Sequence, residues 1–471
     1  MSIDDRGKRQ LEFHVDRRGL LRRASAGFPL LSLYGSLSEE VRAAEVSRNP
    51  LSPRQPHHAP RAKSVIFLFM GGGPSQVDLF DPKPKLADHT KIPIKLPRIT
   101  RDSTPNCRPS PFRFQQHGES GTWFSELMPN LSRHADDLCI VRSVYCDQIE
   151  HSGAIRQMTT GDGVLPRPSV GAWSLYGLGS ENDSLPGFVS ISRQSNLAGK
   201  VIHGSSFLPA AFEGTSIPDV KKPIANLAMP VAREIQATRL AAIRRLAEVY
   251  RRRREDDSRL DARLAAYELA FRMQSSIPEI EDLSGETAAT MKLYGMDNKV
   301  TKNFGRMCLM ARRFAEEGVR FIQVTHNDDK VQWDQHANLK RDHEKNAREV
   351  DLPIAGLLTD LKQRGMLEDT LIWWGSEFGR TPTAETGDGR DHNPEGFTMW
   401  LAGGGVKGGF RYGETDDYGY YAAVDKVHIH DFHATLLHAL GLDHEQLTYR
   451  HAGRDFRLTD VEGNVVHDVF A

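Results

Sequence analysis

Five short apolar runs punctuate the chain: Ser64–Met70 (SVIFLFM), Leu138–Tyr145 (LCIVRSVY), Val319–Thr325 (VRFIQVT), Thr370–Gly375 (TLIWWG) and the stretch that starts at Phe397 (FTMWLAG). Each has the length of a strand and lacks strict alternation, as expected of strands covered on both faces. Helical patterns stand between them. Asn303–Glu317 places Phe304, Cys308 and Ala311 on one face and stops at Gly318, a C-cap signal, while Ile354, Leu357, Leu358 and Leu361 form the stripe of a helix that stops at Gly365. This alternation predicts an α/β fold: a doubly wound, mainly parallel sheet with helices on both faces. Residues 230–277 interrupt it. There Leu260, Leu264, Tyr267 and Phe271 recur at helical spacing among many charged residues, which predicts a helical insertion packed on the sheet or forming a lid.

The chain before the first run divides in two. Residues 1–45 carry paired arginines, Arg17 and Arg18, then Leu20-Leu21, Arg22, a weakly apolar stretch and small residues at Ala43-Ala44, a pattern resembling a twin-arginine export signal. It predicts passage through the twin-arginine machinery to a periplasmic or extracellular location. Residues 46–62, rich in Pro, His, Arg and Ser, read as an extended linker, so the folded domain is expected over 63–471. No run of about 18 apolar residues is present, so a helical membrane span is not expected.

Charge narrows the partners. Lys plus Arg (61) and Asp plus Glu (62) cancel to a formal net charge of -1, leaving no overall field to draw the protein onto nucleic acid. The Arg251–Arg254 run is followed by Glu255, Asp256 and Asp257 and reads as a solvated helix face. Four cysteines without CxxC spacing argue against a zinc ribbon or a disulfide scaffold.

In a doubly wound sheet, sites form beyond the carboxyl ends of strands. The first run is followed by Ser75 and Asp78; the second by Asp147, His151, Ser152 and Arg156; the third by His326, Asp334 and His336; the fourth by Glu377, Arg380, Asp391 and His392. Carboxylates and imidazoles arriving from separate strand ends are what a divalent metal site requires, and Asp334 and His336, at i and i+2 of a tight loop, can face one ion. Gly71-Gly72-Gly73 matches only two positions of a dinucleotide fingerprint, because Gln76 fills the third and Pro74 removes a donor. It reads as a sharp turn that presents Ser75 and Asp78. His430 and Asp431 begin a further helical pattern, a position from which they could join the site.

The blocks MGGGPSQVDLFDPKP, SEFGRTP, GRDHNPEGFTMWLAGGGVKGGFRYGETDDYGYYA and HIHDFHATLLHALGLDHEQLTYRHAGRDFRLTDVEGNVVHDV resemble the domain of unknown function 1501 family, placed in the alkaline phosphatase and sulfatase superfamily. The resemblance implies a divalent metal (zinc, manganese or calcium) assisting hydrolysis of small-molecule or glycan phosphate or sulfate esters. It implies Asp334, His336, Glu377 and His392 as ligands, to which the strand-end reading adds Asp78 and Asp391. His151, Ser152, Arg156 and Arg380 would be the catalytic groups, with Ser152 either a nucleophile or a helix cap. The sulfatase nucleophile frame is matched only at Thr160-Gly161, and Cys146 lacks the Pro and Arg that formylglycine formation needs. The alternative is a binding protein on a degenerate hydrolase scaffold.

Overall fold

The computed structural model describes residues 49–88, 106–192, 199–220, 231–251, 258–327, 333–383 and 387–471. The export-signal reading of residues 1–45 therefore lies outside the described residues, as does most of the Arg251–Arg254 run.

The core is a nine-stranded sheet. Its strands, in chain order, are β1 (Ser64–Met70), β2 (Leu138–Tyr145), β3 (Phe188–Ser192), β4 (Thr215–Ile217), β5 (Phe321–His326), β6 (Thr370–Gly375), β7 (Phe397–Ala402), β8 (Phe410–Tyr412) and β9 (Val427–His428). The spatial order is β8-β2-β7-β6-β1-β5-β3-β4, with β9 paired to β2. All neighbours are parallel except β7, which runs antiparallel to both β2 and β6. Because side chains alternate across a strand, β1 feeds two cores. Ile66, Leu68 and Met70 join one, with Leu309, Phe314, Ile354 and Leu358, and Val65, Phe67 and Phe69 join the other, with Trp173, Phe432 and Leu436. Helices on both faces make the sheet doubly wound.

The helices that matter for the site are α1 (His151–Thr160), α2 (Val170–Leu178), α3 (Arg233–Arg251), α4 (Ser258–Glu281), α5 (Lys302–Glu316), α6 (Leu339–Gln363) and α7 (Ile429–Ala439). Helix α5 ends as expected, with Gly318 at φ +79 beyond its C-cap. Helix α6 starts at Leu339, well before the apolar stripe that begins at Ile354, and its first half buries Asp342, His343 and Asn346, polar residues that conceal the period. The insertion is helical, as α3 and α4. Tyr267 is exposed on α4, and it is Met273, Ile277 and Ile280 near its end that enter the core.

Asn49–Ala62 corrects the linker expectation, for it is a strap bound to the domain. Leu51 and Ala62 are buried, the amide of Arg54 donates to Leu178 O (2.9 Å), those of His57 and His58 to Gly441 O, and those of Arg61 and Ala62 to Ala439 O. The composition here, rich in proline, histidine and arginine, reflects an extended path whose hydrogen bonds are made to helix ends, which leave carbonyls unpaired. No helix among the described residues is long and apolar enough to cross a membrane.

Candidate metal centre

The parallel strands β1, β2, β5 and β6 end on one edge of the sheet, and the reversed β7 begins there. A residue just before β7 therefore meets residues just after the others, which explains how His392 joins the site.

The turn after β1 is consumed by this edge. Gly72 N donates to Glu377 Oε1 (2.9 Å) and Gly73 N to Ser376 Oγ (3.0 Å). Both carbonyls accept from Arg380, Gly73 O from Nε at 2.9 Å and Gly72 O from Nη2. Gly73 has φ +76, and a Cβ there would stand 2.9 Å from the Phe378 ring, so a side chain is excluded by both conformation and space. The turn grips Glu377 and Arg380, which excludes the dinucleotide cradle.

Four donors converge from three segments: α1, the loop of Asp334 and His336, and the stretch before β7. Asp334 Oδ1 lies 2.9 Å from His336 Nε2, 3.1 Å from His151 Nε2 and 3.3 Å from His392 Nε2, and the Nε2 atoms of His336 and His392 are 3.1 Å apart. These separations are close to the roughly 3.3 Å expected between ligands of a tetrahedral ion with bonds of about 2.0–2.1 Å. The outward nitrogens of two rings are held as metal-ligating imidazoles are held. His151 Nδ1 sits 2.7 Å from Glu377 Oε1, and His392 Nδ1 is 2.8 Å from Ile149 O. That leaves Nε2 as the inward atom of both, and His151 Nε2 is buried without a directed hydrogen bond. The donor set and the inward-facing Nε2 atoms fit a divalent ion. The side chain of Asp334 is 35 % exposed and that of His336 24 %, so the centre is open on one side.

Electrostatics follows the geometry. Burial works to raise the Asp334 carboxyl, but His151, His336, His392 and Arg380 hold it far below the usual range. Burial opposes the charge on His151, yet Asp334 and Glu377 raise its pKa to about 9, whereas burial lowers that of His392 despite Asp334. Protons and a cation thus compete for this cluster.

The structure brings together Asp334, His336 and His392 of the expected ligands and adds His151, which the sequence places among the catalytic groups. Asp391 is fully buried beside them, with Oδ1 4.0 Å from His336 Nδ1. Other expected residues have different partners in the structure. Glu377 orients His151 through Nδ1. Asp78 is closed off in a buried ion pair, Oδ2 to Arg390 Nε at 2.6 Å and Oδ1 to Nη2 at 3.1 Å, with Ser75 Oγ at 2.5 Å. Arg380 is spent on the two glycine carbonyls and on Asp334 Oδ1 (2.6 Å), so it positions rather than clamps. Ser152 is an exposed second residue of α1, whose N-cap is Glu150, so it is not the cap, and Arg156 turns away to Val164 O (2.6 Å).

Sequence reading missed the groups that pin the Asp334 loop. Trp333 is buried, donating from Nε1 to His326 Nδ1 (3.0 Å) and from its amide to Gly71 O (3.2 Å). His343, held neutral by burial with its pKa lowered to about 4, accepts from Ser75 N at 3.2 Å and bonds Gln335 Oε1 through Nδ1. Gly389 lies against the backbone of His336, where a Cβ would overlap the carbonyl, and Arg390 N donates to Gln335 O (3.0 Å). The only available signal was Arg390 itself, adjacent to Asp391.

A doubly wound α/β protein with a histidine-rich candidate centre for a divalent metal is the class that this fold and site define. The sequence matches the family described as "Protein of unknown function (DUF1501)" over residues 62–470, and the chain belongs to that family. No curated protein matches it. Among solved structures it is similar to the PsFucS1 sulfatase from Pseudoalteromonas sp. (13 % identity, 83 % of this chain and 69 % of that one, TM-score 0.34). It is also similar to the alkaline phosphatase from the Antarctic bacterium TAB5 (12 %, 73 % and 92 %, 0.31). A third is the lipoteichoic acid synthase LtaP from Listeria monocytogenes (6 %, 87 % and 78 %, 0.35).

Asp78 and Asp334 should separate on substitution. Asp78→Asn leaves Arg390 buried without its charge partner and is expected to cost about 3–5 kcal/mol while the folded protein keeps its metal. Asp334→Asn should lose metal at a smaller stability cost. Denaturant unfolding and elemental analysis check both, and a folded, metal-free Asp78→Asn protein would make Asp78 a ligand after all. The Asp78 carboxyl is held below its ordinary 3.8 by Arg390, against burial, so its contribution is present above that value and lost as pH falls through the lower folded value.

Proposed function

We propose that this protein is an exported metal-dependent hydrolase of small-molecule or glycan phosphate or sulfate esters. The observation that carries the reading is the convergence of His151, His336 and His392 Nε2 on Asp334 Oδ1 at an edge open to solvent. The ester class is taken from the resemblance of the sequence blocks to the alkaline phosphatase and sulfatase superfamily. Three imidazoles and one carboxylate suit zinc or manganese and disfavour calcium, which takes six to eight oxygens. A divalent ion held there supplies Lewis-acid polarisation of an ester oxygen and acidifies water. The chain's own part is orientation: Glu377 and the Ile149 carbonyl fix two ring tautomers, and Arg380 fixes Asp334. His336, the most exposed of the imidazoles, borders the open side.

The two side-chain nucleophiles that the sequence offers have other settings. Cys146 is buried with Sγ 3.4 Å from Glu377 O, and Ser152 is on the exposed face of α1. Water is accordingly the nucleophile in this reading. The commitment of Arg380 to glycine carbonyls favours the second reading, a binding protein on a hydrolase scaffold, because that guanidinium is not offered to ester oxygens.

Hydrolysis of an aryl phosphate and an aryl sulfate by zinc- and manganese-loaded protein tests the two. Turnover should fall to background in His336→Ala and by about 10–100-fold in Glu377→Gln, and should stay within about twofold in Ser152→Ala. Fully loaded protein that turns over neither ester would favour the binding reading. Export rests on the leader alone. Replacing Arg17 and Arg18 by Lys should retain the precursor in the cytoplasm, and unchanged localisation in cell fractions would refute that route.

A further inference from the structure

Helix α7 opens on a second histidine cluster that the centre around Asp334 does not use. His428 is the N-cap of the helix and His430 stands in its first turn; both are buried. Glu462 reaches them from the C-terminal segment that returns over the helix start, and its side chain is 62 % exposed.

Where the ring protons go is settled by acceptors. His430 Nε2 lies 2.7 Å from the carbonyl oxygen of Gly161, a contact that requires N–H at Nε2. His428 Nε2 lies 3.1 Å from Asp147 Oδ2, a carboxylate oxygen, which accepts. Both neutral rings then turn an Nδ1 lone pair inward. His430 Nδ1 is 3.3 Å and His428 Nδ1 3.7 Å from the same oxygen, Glu462 Oε2. Three electron-pair donors face one another. The His428 lone pair also caps the helix, accepting from the backbone N–H of His430 at 3.3 Å, a long hydrogen bond that an ion there would displace.

We infer that His428, His430 and Glu462 form a second divalent-cation site, with two imidazole nitrogens and one carboxylate oxygen suited to a zinc-like ion and its remaining positions open to water. The outer contacts repeat those of two imidazoles of the first centre: the other ring nitrogen meets a carbonyl or carboxylate, here Gly161 and Asp147, there Ile149 and Glu377. Asp147 and Asp431, the acid in the first turn of α7, supply negative charge that offsets the positive end of the helix. The ion would staple the returning segment to α7. That segment is otherwise tied there by the amide and side chain of Asn464, both donating to Asp431 Oδ1 (2.7 and 3.2 Å). The competing occupant is a proton, which would make His430 an imidazolium between Gly161 O and Glu462.

The test counts metal independently of hydrolysis. The full-length protein is stripped with chelator, dialysed against zinc and analysed for bound metal and for the zinc-induced rise in melting temperature, since a ligand bound only by the folded state raises it. In the His336→Ala background one equivalent should remain. Glu462→Gln, at an exposed side chain, should remove that equivalent and its share of the melting shift, and His430→Gln should do the same. Unchanged stoichiometry in both variants would overturn the site and leave the proton as occupant. Retention of the first equivalent in Glu462→Gln alone keeps this result separate from the fate of the centre at Asp334.

Discussion

One carboxylate oxygen, Asp334 Oδ1, faces three imidazole nitrogens and a guanidinium within 3.3 Å. Such a concentration of polar groups is stable only if each partner is held from behind, and much of the surrounding architecture does that holding. Glu377 holds His151, the Ile149 carbonyl holds His392, and Arg380 holds Asp334. The glycine turn after β1 in turn holds Glu377 through an amide and Arg380 through two carbonyls. Such a turn needs a backbone without side chains, since the Phe378 ring occupies the space a Cβ at Gly73 would take.

Sheet topology supplies the convergence. The parallel strands deliver their following residues to one edge, and the reversal of β7 brings its preceding residues to the same place. Behind them the Asp78–Arg390 pair and the His343–Gln335 contact lock the loops that carry Asp391 and Asp334. Both are fully buried and polar, the kind of network that rigidifies when satisfied and is costly when broken.

The apolar runs and the residues trailing them are what the sequence makes readable, and they suffice for the parallel sheet and for the segments that meet. Roles are less readable. A buried carboxylate such as Glu377 looks the same in sequence whether it binds an ion or steadies a histidine, because the difference is which partner stands within 3 Å. Arg380 and Asp78 are of the same kind: their partners in the structure, the glycine carbonyls and Arg390, leave no mark in the sequence. The first half of α6 was invisible because buried Asp342, His343 and Asn346 replace the apolar period. The strap over 49–62 read as a linker because its contacts are backbone bonds to distant helix ends, which leave no periodicity.

The central claim is that the four convergent donors enclose a divalent ion. Anomalous scattering from crystals of zinc-loaded protein tests it directly. The account predicts a peak within about 2.0–2.2 Å of the Nε2 atoms of His151, His336 and His392 and of a carboxylate oxygen of Asp334. Density between these residues with no anomalous signal, in crystals where zinc is bound elsewhere, would contradict it.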